Sequence, residues 1–409
     1  MKIIHVAGTN GKGSISRMLM NILKSAGYIT GIFNSPFLKV RNEYLCVNGT
    51  DCSDNEYSFI AGIVKNAVER NIGKAELNRR PTEFEFSFAM AMEYFSRRGC
   101  DFAIVECGLG GKSDATNVFN EKELSIIANI GLDHTKLLGS TLKDISKQKC
   151  GIIINNDTVV AYPSEPEAMR VIRNICKKRN AKLITPDYLS FGSMKYYNPG
   201  FPEPDIKNND PATEKIWLSM PGLIDGIALS GEYQKRNGMV AISAAAALRS
   251  KGYKKINLNT IREGLKNVKW PGRFETVNDK PLVIIDGSHN VQGVRALCES
   301  LDILNIKKAV FVIGVMADKD YLGIFDMLAP YIEYLYSTEP DNPRRLSADE
   351  ITKEFIKRNV SSEAVSDPKQ AVKCAVEYSK TFSNGDIPVI VTGSLYMTGK
   401  IRDVFTGKD

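Results

Sequence analysis

Lys2-Ile-Ile-His-Val-Ala-Gly-Thr-Asn-Gly-Lys-Gly-Ser14 sets the architecture of this chain. An apolar run enters a glycine-rich turn. A lysine follows, and then Ile15, Met18, Leu19 and Ile22 recur at helical spacing until Gly27 stops the period. Strand, glycine turn, lysine and helix together hold a polyphosphate. Glycines let backbone N–H groups close on phosphate oxygens, the helix N-terminus adds the positive end of its dipole, and the lysine adds a point charge. Gly8, Thr9, Asn10, Gly11, Lys12, Gly13 and Ser14 are therefore the candidate phosphate-binding residues, and a nucleoside triphosphate is the expected ligand. The match to G-x-x-x-x-G-K-[ST] is incomplete, since Val6 stands at the first glycine and Gly13 at the hydroxyl position.

The alternation continues outward from this segment. Strand candidates fall at 2–7, 101–107, 124–130, 157–162, 282–286, 309–314, 333–337 and 387–392, with helical periods between most of them. Such alternation gives α/β architecture with largely parallel sheets. Thr82-x-x-Glu85 is a capping box opening a helix through Phe88, Met92 and Phe95, which Gly99 ends. Residues 190–230, rich in Pro, Asn, Gly and Asp, are expected to form an irregular insertion with a short strand near Lys215–Met220. Trp270-Pro-Gly-Arg273 interrupts the series and a second one begins at Pro281. Two domains are expected, 1–271 and 272–409: a P-loop-type ATPase domain with a mostly parallel sheet, then a smaller Rossmann-like α/β domain.

The 409 residues exceed one simple core, and the balance of 43% hydrophobic to 25% charged residues is that of an ordinary globular protein. No apolar run is long enough to cross a bilayer, and the N-terminus lacks a signal-peptide pattern, so a cytoplasmic enzyme is expected. Eight cysteines without a C-x-x-C pair fit reduced thiols. The net charge of +7 includes no long basic arm, Lys177-Lys178-Arg179 being the densest run. It fits anionic small-molecule substrates better than nucleic acid or a membrane.

Only three histidines occur. His134 and His289 lie in acid-containing turns at predicted strand ends, where parallel α/β sheets gather ligands, and both read as functional. His5 lies within the first strand and reads as structural. Phe102-Ala-Ile-Val-Glu106 repeats the strand-to-glycine pattern with a carboxylate at its end, a suitable oxygen ligand for Mg²⁺ beside a phosphate loop.

Taken in order, these segments resemble the folylpolyglutamate synthase/dihydrofolate synthase family of the Mur ligase superfamily, nearly end to end. Gly8–Ser14 looks like the family's phosphate loop. Ser35-Pro-Phe-Leu with Asn42-Glu43 and Val47-Asn-Gly49 is similar to its flexible loop. Glu106-Cys-Gly-Leu-Gly-Gly-Lys-Ser-Asp-Ala-Thr-Asn-Val118 resembles its most characteristic signature. Leu132-Asp-His134, Lys149-Cys-Gly-Ile152, Gly231 with Gln234 and Asn237, Trp270-Pro-Gly-Arg-Phe-Glu275, Asp286-Gly-Ser-His-Asn290, Asp318-Lys-Asp320, Glu339-Pro-Asp-Asn-Pro343 and Gly393-Ser-Leu-Tyr396 complete the set.

The resemblance implies a ligase that uses ATP and Mg²⁺ to join L-glutamate to a folate, through an acyl phosphate that the glutamate amine attacks. Tetrahydrofolate is the first expected acceptor and dihydropteroate the second. Ser35, Glu106, His134 and a carbamylated Lys149 match the family's metal residues. Asn237, Arg273 and Asp286 match nucleotide contacts, while His289 and Ser394 match substrate positions; Lys12, Lys149 and His289 are the candidate catalytic groups. A monomer is implied. Tyr233 before Gln234, Lys112-Ser113, Cys150 and Val291 depart from the family pattern, as does a start at the first strand, and these bear on the choice of substrate. The competing expectations are another Mur-type amide ligase and a non-catalytic ATP-binding scaffold.

Overall fold

Apolar runs become strands in two sheets of a computed structural model that describes residues 1–71, 80–186, 211–382 and 386–407. The first sheet contains β1 Lys2–Ala7, β2 Thr30–Phe33, β3 Cys46–Val47, β4 Thr50–Asp51, β5 Phe102–Glu106, β6 Leu124–Ile127, β7 Thr158–Ala161 and β8 Lys182–Ile184. Its order is β4-β3-β2-β5-β1-β6-β7-β8. From β2 to β8 neighbours pair in parallel, and β3 and β4 add an antiparallel edge. Strands β2, β5 and β6 are buried along their whole length, as a parallel sheet covered on both faces requires.

The second sheet contains β9 Glu275–Asp279, β10 Leu282–Ile285, β11 Ala309–Ile313, β12 Ile332–Ser337, β13 Ser362–Ala364 and β14 Val389–Thr392, in the order β13-β12-β11-β14-β10-β9. Among the described residues of this sheet, only β9 is antiparallel to its neighbour. Side chains alternate faces along each strand. Val283, Ile285, Val310, Val312, Val389 and Val391 feed one core, while Ile284, Phe311, Ile313 and Ile390 feed the other.

The sheets belong to two compact units. One comprises residues 1–131, 135–228 and 234–269; the other comprises 132–134, 229–233 and 270–409. In the first, the helix Lys12–Ser25 packs against the helix Leu258–Lys266 at a glycine. A Cβ on Gly264 would stand 2.6 Å from the backbone Cα and N of Ile22. The capping box at Thr82 and Glu85 opens the helix Glu83–Arg97, as its sequence predicts.

The strand expected near Lys215–Met220 is instead helical, within Pro211–Leu218 and Met220–Ile224. Ile216, Met220, Leu223 and Ile224 are buried at spacings of four, three and one residues, which a helix places on one face. Residues 190–210 of the same expected insertion lie outside the described residues.

Candidate active site

The expected site residues Gly8, Ser35 and Glu106 of the first unit lie at the carboxyl ends of the parallel strands β1, β2 and β5. The connection from β1 leads to β2 on one side, and that from β5 leads to β6 on the other, so the β1–β5 border is a topological switch point. The Gly8–Gly11 loop leaves β1 there, and Glu106 ends β5.

Close packing demands the loop's glycines. A Cβ on Gly8 would lie 2.6 Å from Ala128 Cβ. Gly11, at φ +89°, caps the Lys12–Ser25 helix, and a Cβ there would stand 2.5 Å from Asn237 Oδ1. Thr9 N donates to the Asn129 carbonyl (2.7 Å), and Thr9 Oγ1 exchanges two 3.1 Å hydrogen bonds with the Gly131 backbone. Asn237 is buried and donates to Gln234 Oε1 at 3.1 Å.

Three charged side chains converge on this loop. Lys12 Nζ donates to the carbonyls of Gly8 (3.1 Å) and Thr9 (3.3 Å) and pairs with Glu106 Oε1 at 3.5 Å. Lys149, buried at the end of the helix Leu142–Lys149, donates from Nζ to the Gly8 carbonyl at 2.8 Å. Asn34, one residue before half-buried Ser35, donates from Nδ2 to Glu106 Oε2 at 2.8 Å.

The donor chemistry fits a hard divalent cation. Glu106 is a buried carboxylate, and the buried Oδ1 of Asn34 beside it has no hydrogen-bond partner among the described residues. That pattern suits Mg²⁺, which takes one or two carboxylates, keeps several waters and completes its shell with substrate phosphates.

The second unit holds the other expected residues. Asp286 follows β10, and protein donors surround its buried carboxylate. Oδ2 accepts from Tyr233 OH (2.7 Å) and Phe274 N (2.9 Å); Oδ1 accepts from Ser288 N (2.9 Å) and from Ser288 Oγ. Gly272 N donates to Glu275 Oε2 (2.8 Å), and the Gly272 carbonyl accepts from Gly287 N (2.8 Å). Gly272 (φ +72°) and Phe274 (φ +50°) flank Arg273 in left-handed backbone, so the loop presenting this arginine is closely determined. Ser394 is buried and caps the helix Leu395–Thr406, its Oγ accepting from Tyr396 N at 3.2 Å.

A second network, not singled out from the sequence, centres on Asp133. Its Oδ1 accepts from Lys319 Nζ (2.6 Å) and His134 N (2.8 Å), and its Oδ2 accepts from Asn290 Nδ2 (3.0 Å). His289 Nε2 lies 3.9 Å from Oδ2. Burial pushes the Asp133 pKa upward, but the Lys319 charge and hydrogen bond outweigh it and hold the carboxyl well below the usual range. His289 Nδ1 lies 2.9 Å from the Gly287 carbonyl, which only accepts, so Nδ1 carries the proton and Nε2 presents its lone pair. Burial, then the Lys319 charge, lowers the His289 pKa to about 4, which keeps the ring neutral near pH 7.

The structure thus places Gly8–Ser14, Ser35, Glu106, Lys149 and Asn237 in the first unit, and His134, Arg273, Asp286, His289 and Ser394 in the second. The signal for the Asp133 network lay in Asp318-Lys-Asp320, a charged triplet after a buried strand, but the sequence does not pair it with Asp133.

Two family models match the chain: the Mur ligase middle domain over residues 6–245, and the Mur ligase glutamate ligase domain over residues 272–395. The folylpolyglutamate synthase of Lacticaseibacillus casei is 31% identical over 99% of this chain and 90% of its own length. The dihydrofolate synthase/folylpolyglutamate synthase of Bacillus subtilis is 32% identical over 98% and 90%. Among solved structures, Mycobacterium tuberculosis folylpolyglutamate synthase complexed with ADP and AMPPCP matches with a TM-score of 0.84 and 25% identity, covering 100% of this chain and 91% of that one. The bifunctional Yersinia pestis enzyme complexed with AMPPNP and Mn ion matches with a TM-score of 0.75 and 27% identity, covering 98% and 88%.

Proposed function

The chain belongs to the folylpolyglutamate synthase/dihydrofolate synthase family of Mur ligases, and on that premise we propose that it joins L-glutamate to a folate carboxylate. It is an ATP-dependent ligase that uses a divalent metal. Tetrahydrofolate is the proposed first acceptor and dihydropteroate the second. The observation that carries the assignment of residues is the convergence of Lys12, Glu106 and Lys149 on the Gly8–Gly11 loop at the switch point of a parallel sheet.

A carboxylate is a poor electrophile, so it must be activated before an amine can attack it. The γ-phosphoryl group passes to a carboxylate oxygen, giving an acyl phosphate. The glutamate amine then adds to the carbonyl, and phosphate leaves as the amide forms. Phosphoryl transfer needs alignment and charge neutralisation more than covalent help.

The loop N–H groups and the Lys12–Ser25 helix dipole hold the phosphates, and Lys12 adds positive charge, oriented by Glu106. Ser35, Glu106 and, as its carbamate, Lys149 are the proposed oxygen donors of the first unit to the metal. When bound, the metal neutralises phosphate charge. In the second unit, Arg273 offers a fixed cation to an anionic ligand, and neutral His289 offers a lone pair at Nε2 for a proton from the attacking amine. Asp286, enclosed by protein donors, orients the Arg273 loop. Ser394 shapes the substrate side through its helix cap. Residues 1–271 are assigned to nucleotide chemistry and 272–409 to glutamate ligation.

A cytoplasmic monomer acting on small molecules is part of the proposal, and light scattering after size exclusion tests the monomer. Among the described residues no helix is long and apolar enough to cross a membrane. Lys12→Met and Glu106→Gln test the site. The first should weaken ATP binding, and the second should weaken Mn²⁺ binding to the enzyme–ADP complex. Wild-type values for both would dismiss the assignment.

A further inference from the structure

Within the Glu106–Val118 segment and against β1 lies a buried hydrogen-bonded chain that the proposed chemistry does not use. His5 is fully buried on β1, three residues before the Gly8 loop, and pairs in register with Val105 on β5. Its Nε2 lies 2.8 Å from Thr116 Oγ1 and 3.2 Å from Cys107 Sγ. Thr116 Oγ1 lies 2.6 Å from Asp114 Oδ1, which also accepts from Thr116 N at 3.0 Å. The other carboxylate oxygen, Oδ2, accepts from Leu109 N at 2.7 Å. Asp114 therefore folds the Glu106–Val118 segment back on itself, and His5 ties that segment to β1.

Proton positions follow from chemistry. A carboxylate only accepts, so the single hydroxyl proton of Thr116 points to Asp114 and its oxygen accepts from His5 Nε2–H. Nδ1 is then the unprotonated nitrogen of a neutral ring, and it is buried without a hydrogen-bond partner among the described residues. Burial, then the Lys122 charge, lowers the His5 pKa to about 3, in agreement with that neutral tautomer. The edge of the ring is further fixed by Phe119, whose centroid lies 5.7 Å away at 85°.

We propose that His5 is a positioning residue for Glu106. Through Thr116 and Asp114 it fixes the turn after β5 against β1, and so sets Glu106 relative to Lys12 and the phosphate loop. Cys107 N donates to the Val6 carbonyl at 2.9 Å and starts the turn; the His5–Thr116–Asp114 chain completes it. The inference rests on Glu106 as a metal donor.

Mn²⁺ binding to the enzyme–ADP complex, read as free Mn²⁺ by electron paramagnetic resonance, tests it without relying on turnover. Removing a group that orients a metal ligand weakens metal affinity roughly 10–100-fold, so His5→Leu and Thr116→Val should each raise the Mn²⁺ Kd by about tenfold. His5→Gln, which keeps an N–H donor at the same reach, should stay near wild type. Thr116→Val preserves shape and keeps the test open if His5→Leu does not fold. Wild-type Mn²⁺ affinity in Thr116→Val and His5→Leu, with loss in Glu106→Gln, overturns the role of His5. Equal loss in His5→Gln and His5→Leu also overturns it. Wild-type affinity in Glu106→Gln instead overturns the metal assignment on which it rests.

Discussion

Replacing Asp133 with asparagine should disturb the second unit far more than its isosteric shape suggests. Lys319 and Asp133 are both about nine-tenths buried, with side-chain exposures of 10% and 8%, and meet at 2.6 Å. Breaking a buried pair leaves an uncompensated charge, at a cost of roughly 3–5 kcal/mol. Asparagine can keep its carbonyl toward Lys319 and the His134 amide, which points to the lower end of that range. Its new NH₂ then faces Asn290 Nδ2, donor against donor. Asn290 cannot turn over without loss, because its Oδ1 caps the helix Val291–Ile303 by accepting from Gly293 N at 2.8 Å.

A loss of about 3 kcal/mol corresponds to roughly a hundredfold in an equilibrium constant. Native-state hydrogen exchange at the Gly293 amide reads it directly, as a drop in protection of that order. Adding Lys319→Met should recover part of the loss, since the unpaired ammonium is then gone. Unchanged protection in Asp133→Asn, or strictly additive losses in the double variant, would show that the Asp133–Lys319 pair does not hold this helix start in place.

Three further outcomes are expected. Gly264→Ala should lower the thermal midpoint, because the new Cβ meets the Ile22 backbone at 2.6 Å and overpacking of this kind costs about 1–3 kcal/mol; an unmoved midpoint contradicts that contact. Folded His5 and His289 have pKa values of about 3 and about 4, below the ordinary 6.5, so unfolding takes up protons as the pH falls below that value. Stability should decline through that window by up to about 1.4 kcal/mol per pH unit for each histidine and stay flat for these groups above it; urea midpoints across pH check this, and His289→Gln should reduce the slope. Lys149→Ala should abolish ligation yet leave ADP binding measurable, and small carboxylic acids should restore part of the rate by supplying the missing anionic oxygen; full activity in the variant would remove Lys149 from the mechanism.

The central strands were legible because a strand buried on both faces is predominantly apolar, as in Ala309–Ile313 and the run Val389-Ile-Val391. Thr30–Phe33 was missed, being only four residues long with a glycine inside. That glycine is required by packing, since a Cβ on Gly31 would stand 2.5 Å from the Phe95 ring. Glu275–Asp279 is a polar, partly exposed edge strand and carries no apolar signal. The helices over Pro211–Ile224 were misread because Ile216, Leu218 and Met220 alternate locally, while the decisive partners Leu223 and Ile224 come later. At the site, glycine turns and strand-end acids were visible because they are local. Asn34 with Glu106, and Asp133 with Lys319, were not, since 72 and 186 residues separate the partners and only the folded sheets bring them together. Nor does sequence distinguish an exposed strand-end carboxylate from Asp286, whose oxygens are enclosed by Tyr233, Phe274 and Ser288.

The assignment of folate glutamate ligation stands or falls on glutamate-dependent ADP release in the presence of ATP and Mg²⁺, measured with tetrahydrofolate, dihydropteroate and a muramyl precursor. Release with tetrahydrofolate should require glutamate and be lost in Lys12→Met, and the muramyl precursor should give none. Release with the muramyl precursor alone, or ADP formation indifferent to glutamate, would contradict that assignment.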